Sequence, residues 1–325
     1  MKLDSKIYLA GHEGLVGSSL LIKLKESGYN NVLTKRFSEL DLRNQQAVNN
    51  FFENNNPEYV FICAAKVGGI VANMTNPADF IYDNLMIAAN LIQASCIYGV
   101  KKLLFLGSSC IYPRDCQQPI CEEYLLSGPL EETNRAYAIA KISGIELCQS
   151  YNKQYGTNFI SCMPTNLYGP RDNFDLNNSH VIPALISKII NARDNQDAYV
   201  NIWGTGNPKR EFLYVDDLAN ALIFLMENHN GSEIINIGTG HDISIKNLSQ
   251  IIKKITNYSG ELQFDITKPD GTPRKLLNVE RISKLGWKSQ TGLEEGLKKT
   301  IDWYEANIKK GISYEQKKIN KFISK

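Results

Sequence analysis

The feature that most constrains this chain is a rhythm. Short, mostly apolar runs lie at residues 6–10 (KIYLA), 59–63 (YVFIC), 102–106 (KLLFL) and 159–163 (FISCM), with a weaker strand pattern at 31–35 (NVLTK). Helical patterns separate them, up to about residue 27 and at 45–54, 83–98 and 134–155. A strand that is apolar on both faces must be covered on both faces, which is the condition of a parallel sheet. The expected architecture is therefore α/β, a doubly wound, Rossmann-type parallel sheet.

The second half is more mixed. It predicts helices at 182–192, 216–227, 245–256 and 293–306 and strands at 199–203, 211–215, 234–237 and 261–265, divided by turn clusters at 172–179, 204–208 and 268–273. We expect residues 1–168 to form a Rossmann domain, with returning elements at about 211–240, and residues 169–325 to form mainly a smaller α/β substrate domain. The tail from Lys309 carries six lysines and reads as a solvated helical end.

Composition excludes several classes. With 43% hydrophobic and 22% charged residues, the chain is neither disordered nor collagen-like. A net charge of +2 leaves no basic footprint for nucleic acid. The longest uncharged apolar run, 59–65, is well short of the ~20 residues of a membrane span, and the first residues show no apolar signal core. Seven cysteines and four histidines show no zinc-ligand spacing, and free thiols in a reducing, cytoplasmic compartment are expected.

Gly11, Gly14 and Gly17 form G-x-x-G-x-x-G between the first strand and the first helix. Such a loop turns tightly and lets a pyrophosphate approach the helix N-terminus, so Gly11, His12, Gly14, Leu15, Val16 and Gly17 are candidate cofactor residues. NAD enzymes place a carboxylate after the second strand for the ribose 2′-hydroxyl. Here Lys35 and Arg36 stand there, which favours the 2′-phosphate of NADP(H), although both could be ordinary solvated charges. Asp41 could reach the adenine amino group or cap the next helix.

Tyr137 and Lys141 form Y-x-x-x-K, one helix turn apart on one face. A phenol with an ordinary pKa of ~10 needs a nearby cation to transfer protons at neutral pH. Ser108 and Cys110 follow the strand 102–106, where doubly wound folds bind ligands. Ser108 could bond a substrate carbonyl. Cys110 could act as a base or be a small buried residue. His180 opens a helix and could be a cleft acid, or a cap or surface residue.

The chain resembles the GDP-L-fucose synthases, a family of extended short-chain dehydrogenase/reductases. The resemblance runs over about residues 6–306 and is carried by 64–70 (AAKVGGI), 107–113 (GSSCIYP), 164–170 (PTNLYGP), 178–185 (NSHVIPAL) and 268–275 (KPDGTPRK). It implies NADPH-dependent reduction at C4 of a GDP-4-keto-6-deoxy-mannose after epimerisation at C3 and C5. It implies Ser108, Tyr137 and Lys141 for reduction, Cys110 as epimerisation base and His180 as acid. Ala64, Ala65, Leu106, Gly107, Ser108, Ser109, Pro164, Thr165, Asn166, Leu167 and His180 would line the cofactor. Lys188, Trp203, Arg210 and Asp270 would hold the GDP-sugar. A homodimer through the two long helices is implied as well. One departure is Glu13, where the family often carries Arg, because an acid cannot contact a phosphate favourably.

Rivals on such a fold differ at these residues. A 4,6-dehydratase would show Thr-Asp-Glu at 108–110, and a 4-epimerase would be expected to carry an acid after the second strand. A non-catalytic NADP-sensing protein would lack Tyr137 or Lys141. A reductase acting on a related GDP-4-keto sugar, such as a heptose, without epimerisation is the nearer alternative.

Overall fold

The computed structural model describes residues 1–176, 179–268 and 270–309. Asn178, Pro269 and the lysine-rich tail beyond 309, read above as a solvated helical end, lie outside the described residues.

Six strands make the central sheet. They are β1 (Ile7–Ala10), β2 (Val32–Leu33), β3 (Tyr59–Ile62), β4 (Lys102–Leu106), β5 (Phe159–Pro164) and, much later, β9 (Ile235–Ile237). The order is β2-β1-β3-β4-β5-β9, and every pairing is parallel. The chain reverses direction across the sheet between β1 and β3, and a crevice opens there at the strands' carboxyl ends. All residues of β1, β4 and β5 are buried, as their apolar sequences require.

Helices cover both faces. On one lie α2 (Gln45–Asn55), the short α3 (Ile70–Thr75), α4 (Pro77–Ile97) and α5 (Arg135–Tyr155). Here Val48, Phe52, Leu91, Ile92 and Ile145 are fully buried. On the other, α1 (Leu15–Glu26) packs against α7 (Val215–Asn228) through residues such as Leu20, Leu24, Leu218 and Leu222. The pattern predicts α4 from residue 83, but it starts a turn and a half earlier. Pro77 occupies the first helical position and Asp79 the first turn, both favourable at a helix start. By length and composition α4 is apolar enough to cross a membrane, unlike any uninterrupted apolar run in the sequence. Its inner face, with Phe80, Ala88, Leu91 and Ile92, lies in the core.

The rest of the chain builds a second layer. It comprises β6 (Asn166–Tyr168), α6 (Val181–Asn195), β7 (Tyr199–Trp203), β8 (Lys209–Tyr214), β10 (Asp242–Ser244), α8 (Ile245–Ile255), β11 (Glu261–Asp265), β12 (Arg274–Lys275) and α10 (Leu293–Tyr304), whereas α9 (Glu280–Lys284) packs back against β9 of the central sheet and buries Ile282 there. β8 pairs with β6, β10 and β12, and β7 pairs with β11. Of the segment 211–240 expected to return to the central sheet, β9 joins it and α7 covers it. Residues 211–214 instead belong to β8 and the second sheet. β6, β10, β12, α3 and α9 have no counterpart in the sequence reading; each is six residues or fewer, too short for a periodic pattern to register.

Two contacts fix β4, the strand that delivers the site. At its start, the buried Lys102 ammonium donates to the carbonyls of Leu225, Met226 and His229 at the end of α7. At its end, α5 lies close because Gly144 faces the Phe105 ring. A Cβ there would stand 2.3 Å from that ring. Overpacking of this kind typically costs about 1–3 kcal/mol. Gly144→Val is therefore expected to lower unfolding stability by at least about 1 kcal/mol in urea titration. An unchanged midpoint would show that α5 has room to move.

Candidate active site

Glycine geometry shapes the mouth of the crevice. Gly11 has φ +88° and lies so close to the exit of β3 that a Cβ would stand 2.5 Å from the Ala64 amide. A Cβ on Gly17 would be 2.0 Å from the Gly11 carbonyl oxygen. Gly14 caps α1, which has no side-chain cap and no acid in its first turn, so its amides remain available to a pyrophosphate. His12 Nδ1 is buried without a partner. A cleft of about 470 Å³, lined by His12, Thr34, Arg36, Ser38 and Glu39, continues from the loop. These features fit an adenine dinucleotide.

The cations expected to meet a 2′-phosphate are engaged with acids. Lys35 Nζ lies 3.7 Å from Glu39, and Arg36 Nε lies 3.8 Å from Glu13. Asp41 neither caps α2 nor lines this cleft. Asn44 is the cap, accepting from the Ala47 amide at 3.0 Å. Both Asp41 carboxylate oxygens are bonded to Arg43, whose guanidinium also pairs with Asp83 at 3.0 Å. That arginine is stronger competition for the carboxylate than an adenine amine.

The reactive residues converge where β4 ends. Ser108 is half-buried and extended, and its Oγ accepts from the Cys110 amide at 3.3 Å. Lys141 is buried on α5 and donates from Nζ to the Leu106 carbonyl at 2.6 Å. Its ammonium lies 4.9 Å from the Phe105 ring centroid and 5.7 Å from that of Tyr137. Burial lowers the Lys141 pKa to about 8, while the Cys110, Cys63 and Cys162 thiols oppose the shift. Burial and the Cys110 thiol push the Tyr137 phenol up. Lys141 lies over the Tyr137 ring and bonds the Leu106 carbonyl.

Burial also pushes the Cys110 thiol up. Lys275 first, then the Ser108 hydroxyl and Lys141, pull it back towards the thiolate. Lys275 is the residue the sequence reading missed. It lies within the quoted KPDGTPRK stretch, and parallel pairing of β12 with β8 sets it opposite Arg210. Its own pKa is lowered by burial. A lysine in a loop-rich stretch gives no sign of burial until its strand pairing is known.

His180 stands at the N-cap of α6 without making a capping bond, so the cap reading is not realised. The residue is exposed at the start of α6, where a surface residue would stand, although partial desolvation by nearby protein lowers its pKa. The four predicted sugar-nucleotide residues gather on one rim. Lys188 Nζ lies 5.6 Å from the centre of the exposed Trp203 ring, and Lys268, another missed residue, lies at the same distance. Asp270 accepts from the Thr205 amide at 2.8 Å and hydroxyl at 2.7 Å, which anchors the turn after Trp203. Arg210 is tied to the Lys209 and Thr272 carbonyls and feels the Asp270 charge. Thr165 and Asn166 side chains both donate to the Glu211 carbonyl, fixing the exit of β5.

A nucleotide cradle, a Ser–Tyr–Lys set and a thiol at one strand exit define a nucleotide-sugar oxidoreductase of the extended short-chain type. The chain belongs to the NAD dependent epimerase/dehydratase family, whose model matches residues 7–238. It is 52% identical to GDP-L-fucose synthase 1 of Arabidopsis thaliana over 94% of each chain. It is 53% identical to the GDP-L-fucose synthase of Sinorhizobium fredii, over 94% of this chain and 98% of that one. Among solved structures, a GDP-mannoheptose C4 reductase from Campylobacter jejuni with NADP bound superposes with a TM-score of 0.88. It is 42% identical, over 94% of this chain and 99% of that one.

Lysine 141 gives a direct test. A base whose pKa falls from 10.5 to about 8 on folding binds fewer protons folded than unfolded between those limits. Stability from this group is therefore lowest below about pH 8 and rises towards pH 10.5. Lys141→Met removes that contribution. The difference in urea midpoint, variant minus wild type, is expected to be positive at pH 7 and to shrink towards pH 10.5. A difference that does not vary with pH would contradict the burial of this ammonium.

Proposed function

We propose that the chain epimerises C3 and C5 and reduces C4 of GDP-4-keto-6-deoxy-D-mannose with NADPH, giving GDP-L-fucose. One observation carries this reading. The Cys110 thiol lies two residues from Ser108 at the exit of β4, in the field of two ammoniums, Lys275 and Lys141. A plain reductase has no use for a base there.

The 4-keto group acidifies the protons on C3 and C5. At each carbon in turn Cys110, ionised with Lys275 and Lys141 as countercharges, takes the proton, and His180 gives one back on the opposite face. Ser108 and Tyr137 hold the enolate oxygen, an oxyanion-type role. Bound NADPH supplies the hydride to C4. Tyr137 then gives its proton to the C4 oxygen, and Lys141 holds the backbone of β4 beside it. Lys188, Arg210 and Trp203 suit a nucleoside diphosphate, two cations for phosphate and an aromatic face for the base. Residues 1–168, with α7 and β9, carry the cofactor, and residues 169–325 mainly hold the sugar nucleotide.

Reduction of a GDP-4-keto-heptose without epimerisation is the second reading, favoured by the likeness to the GDP-mannoheptose C4 reductase. Proton NMR in D₂O separates the two. Wild type should incorporate deuterium at C3 and C5, Cys110→Ser should lose exchange by at least about 10²-fold while still reducing C4, and Tyr137→Phe should retain part of the exchange, with Ser108 still on the enolate oxygen, but lose hydride transfer. Absence of exchange in the wild type would establish the plain reductase.

We also place the enzyme in the cytoplasm, a setting suited to its free thiols, with a GDP-sugar as its partner rather than nucleic acid or membrane. A homodimer is supported by the outer side of α4 and α5, where Tyr82, Ile97 and Tyr155 are exposed large side chains on two helices packed together. A second copy covering them completes a four-helix contact. Light scattering at micromolar concentration should give twice 36.6 kDa; a mass of one chain would exclude the dimer.

A further inference from the structure

We propose that Glu13 and Glu39 set cofactor specificity by opposing the 2′-phosphate, so that this chain binds NADPH less tightly than Lys35 and Arg36 alone would allow while its affinity for NADH is unaffected. The inference rests on the NADP(H) reading of the glycine loop and goes beyond it by assigning the two acids at the phosphate end.

The geometry is local. Glu13 is in the glycine loop and reaches Arg36 Nε at 3.8 Å. Glu39 lies beyond β2, reaches Lys35 Nζ at 3.7 Å and accepts from the Arg36 amide at 2.8 Å. Each cation that could meet a 2′-phosphate thus has a carboxylate beside it. The amide bond first, then the charges of Lys35, Arg36 and His12, hold the Glu39 carboxyl below its usual range, so it stays ionised. His12 feels Glu13, Arg36 and Glu39 together, although burial dominates and lowers its pKa. Neutral His12, two cations and two acids sum to no net charge around the cleft that His12, Arg36 and Glu39 line.

A phosphate monoester arriving there carries about −1.5 to −2 charges at pH 7. It must displace Glu13 from Arg36 and sit beside Glu39. The ribose of NADH brings only hydroxyls, which feel neither repulsion. Both Glu13 and Arg36 are partly exposed, and exposed pairs are weak, so the phosphate can break them. The acids lower affinity for the phosphate but do not exclude it.

Calorimetry on the full chain tests this with four ligands: NADPH, NADH, 2′,5′-ADP and 5′-ADP. Glu13→Gln is expected to tighten NADPH and 2′,5′-ADP about two- to fivefold, the range of one exposed charge pair. NADH and 5′-ADP should not move. Glu39→Gln should act in the same direction, and the gain from either should fade at high salt. If Glu39→Gln unsettles the turn that it braces, Glu13→Gln alone decides. Unchanged or weaker NADPH binding in Glu13→Gln would overturn the proposal, by showing that the acid organises Arg36 for the phosphate. Equal tightening of NADH would also overturn it. A wild type that prefers 5′-ADP to 2′,5′-ADP, with the preference untouched by either substitution, would overturn the NADP(H) reading itself.

Discussion

A single buried carboxylate joins the two halves of this molecule. Glu211, fully buried on β8, accepts from the Thr239 and Gly240 amides at 2.7 Å, just past β9, and from the Leu277 amide at 3.0 Å, just past β12. Its own carbonyl receives the side chains of Thr165 and Asn166. The exits of β5, β9 and β12 therefore meet at one residue. A buried carboxylate is costly unless its oxygens are bonded, and three backbone amides meet that requirement. Because β12 also carries Lys275, the position of the ammonium beside Cys110 depends on the same clamp. Substitution of Glu211 would be felt by the sugar-nucleotide rim and the nicotinamide side together.

The site is electrostatically conservative. Tyr137 and Cys110 are both held in their neutral forms by burial, and Lys141 has its pKa brought down to about 8. Around the exit of β4, then, burial holds both the thiol and the phenol in their neutral forms. That suits a bifunctional catalyst, because a permanent thiolate beside a hydride acceptor would invite side chemistry. A thiolate at Cys110 requires cations that offset its desolvation, and Lys275 and Lys141 are the ones at hand.

Much of the fold was legible because it rests on local pattern. The runs 59–63, 102–106 and 159–163 are apolar because both faces of the sheet are covered, so their strands appear within a residue of expectation. The glycine loop, Y-x-x-x-K and Ser108–Cys110 were legible for the same reason: spacing along one strand or helix fixes them. What was not legible depends on partners far along the chain. Asp41 could not be assigned without Arg43 and Asp83, nor Lys275 without β8, nor Lys268 without Trp203. Glu211 looked like an ordinary strand residue, since nothing in its neighbours shows that three distant amides converge on it.

The Lys102 anchor has a mechanical meaning. An ammonium bonded to three carbonyls at the end of α7 fixes the lower end of β4 against sliding along its own axis. Twenty ångströms or so of extended chain, at about 3.3 Å per residue, is stiff in that direction. Ser108 and Cys110 at the far end are therefore indexed against α7 and not only against their neighbours in the sheet.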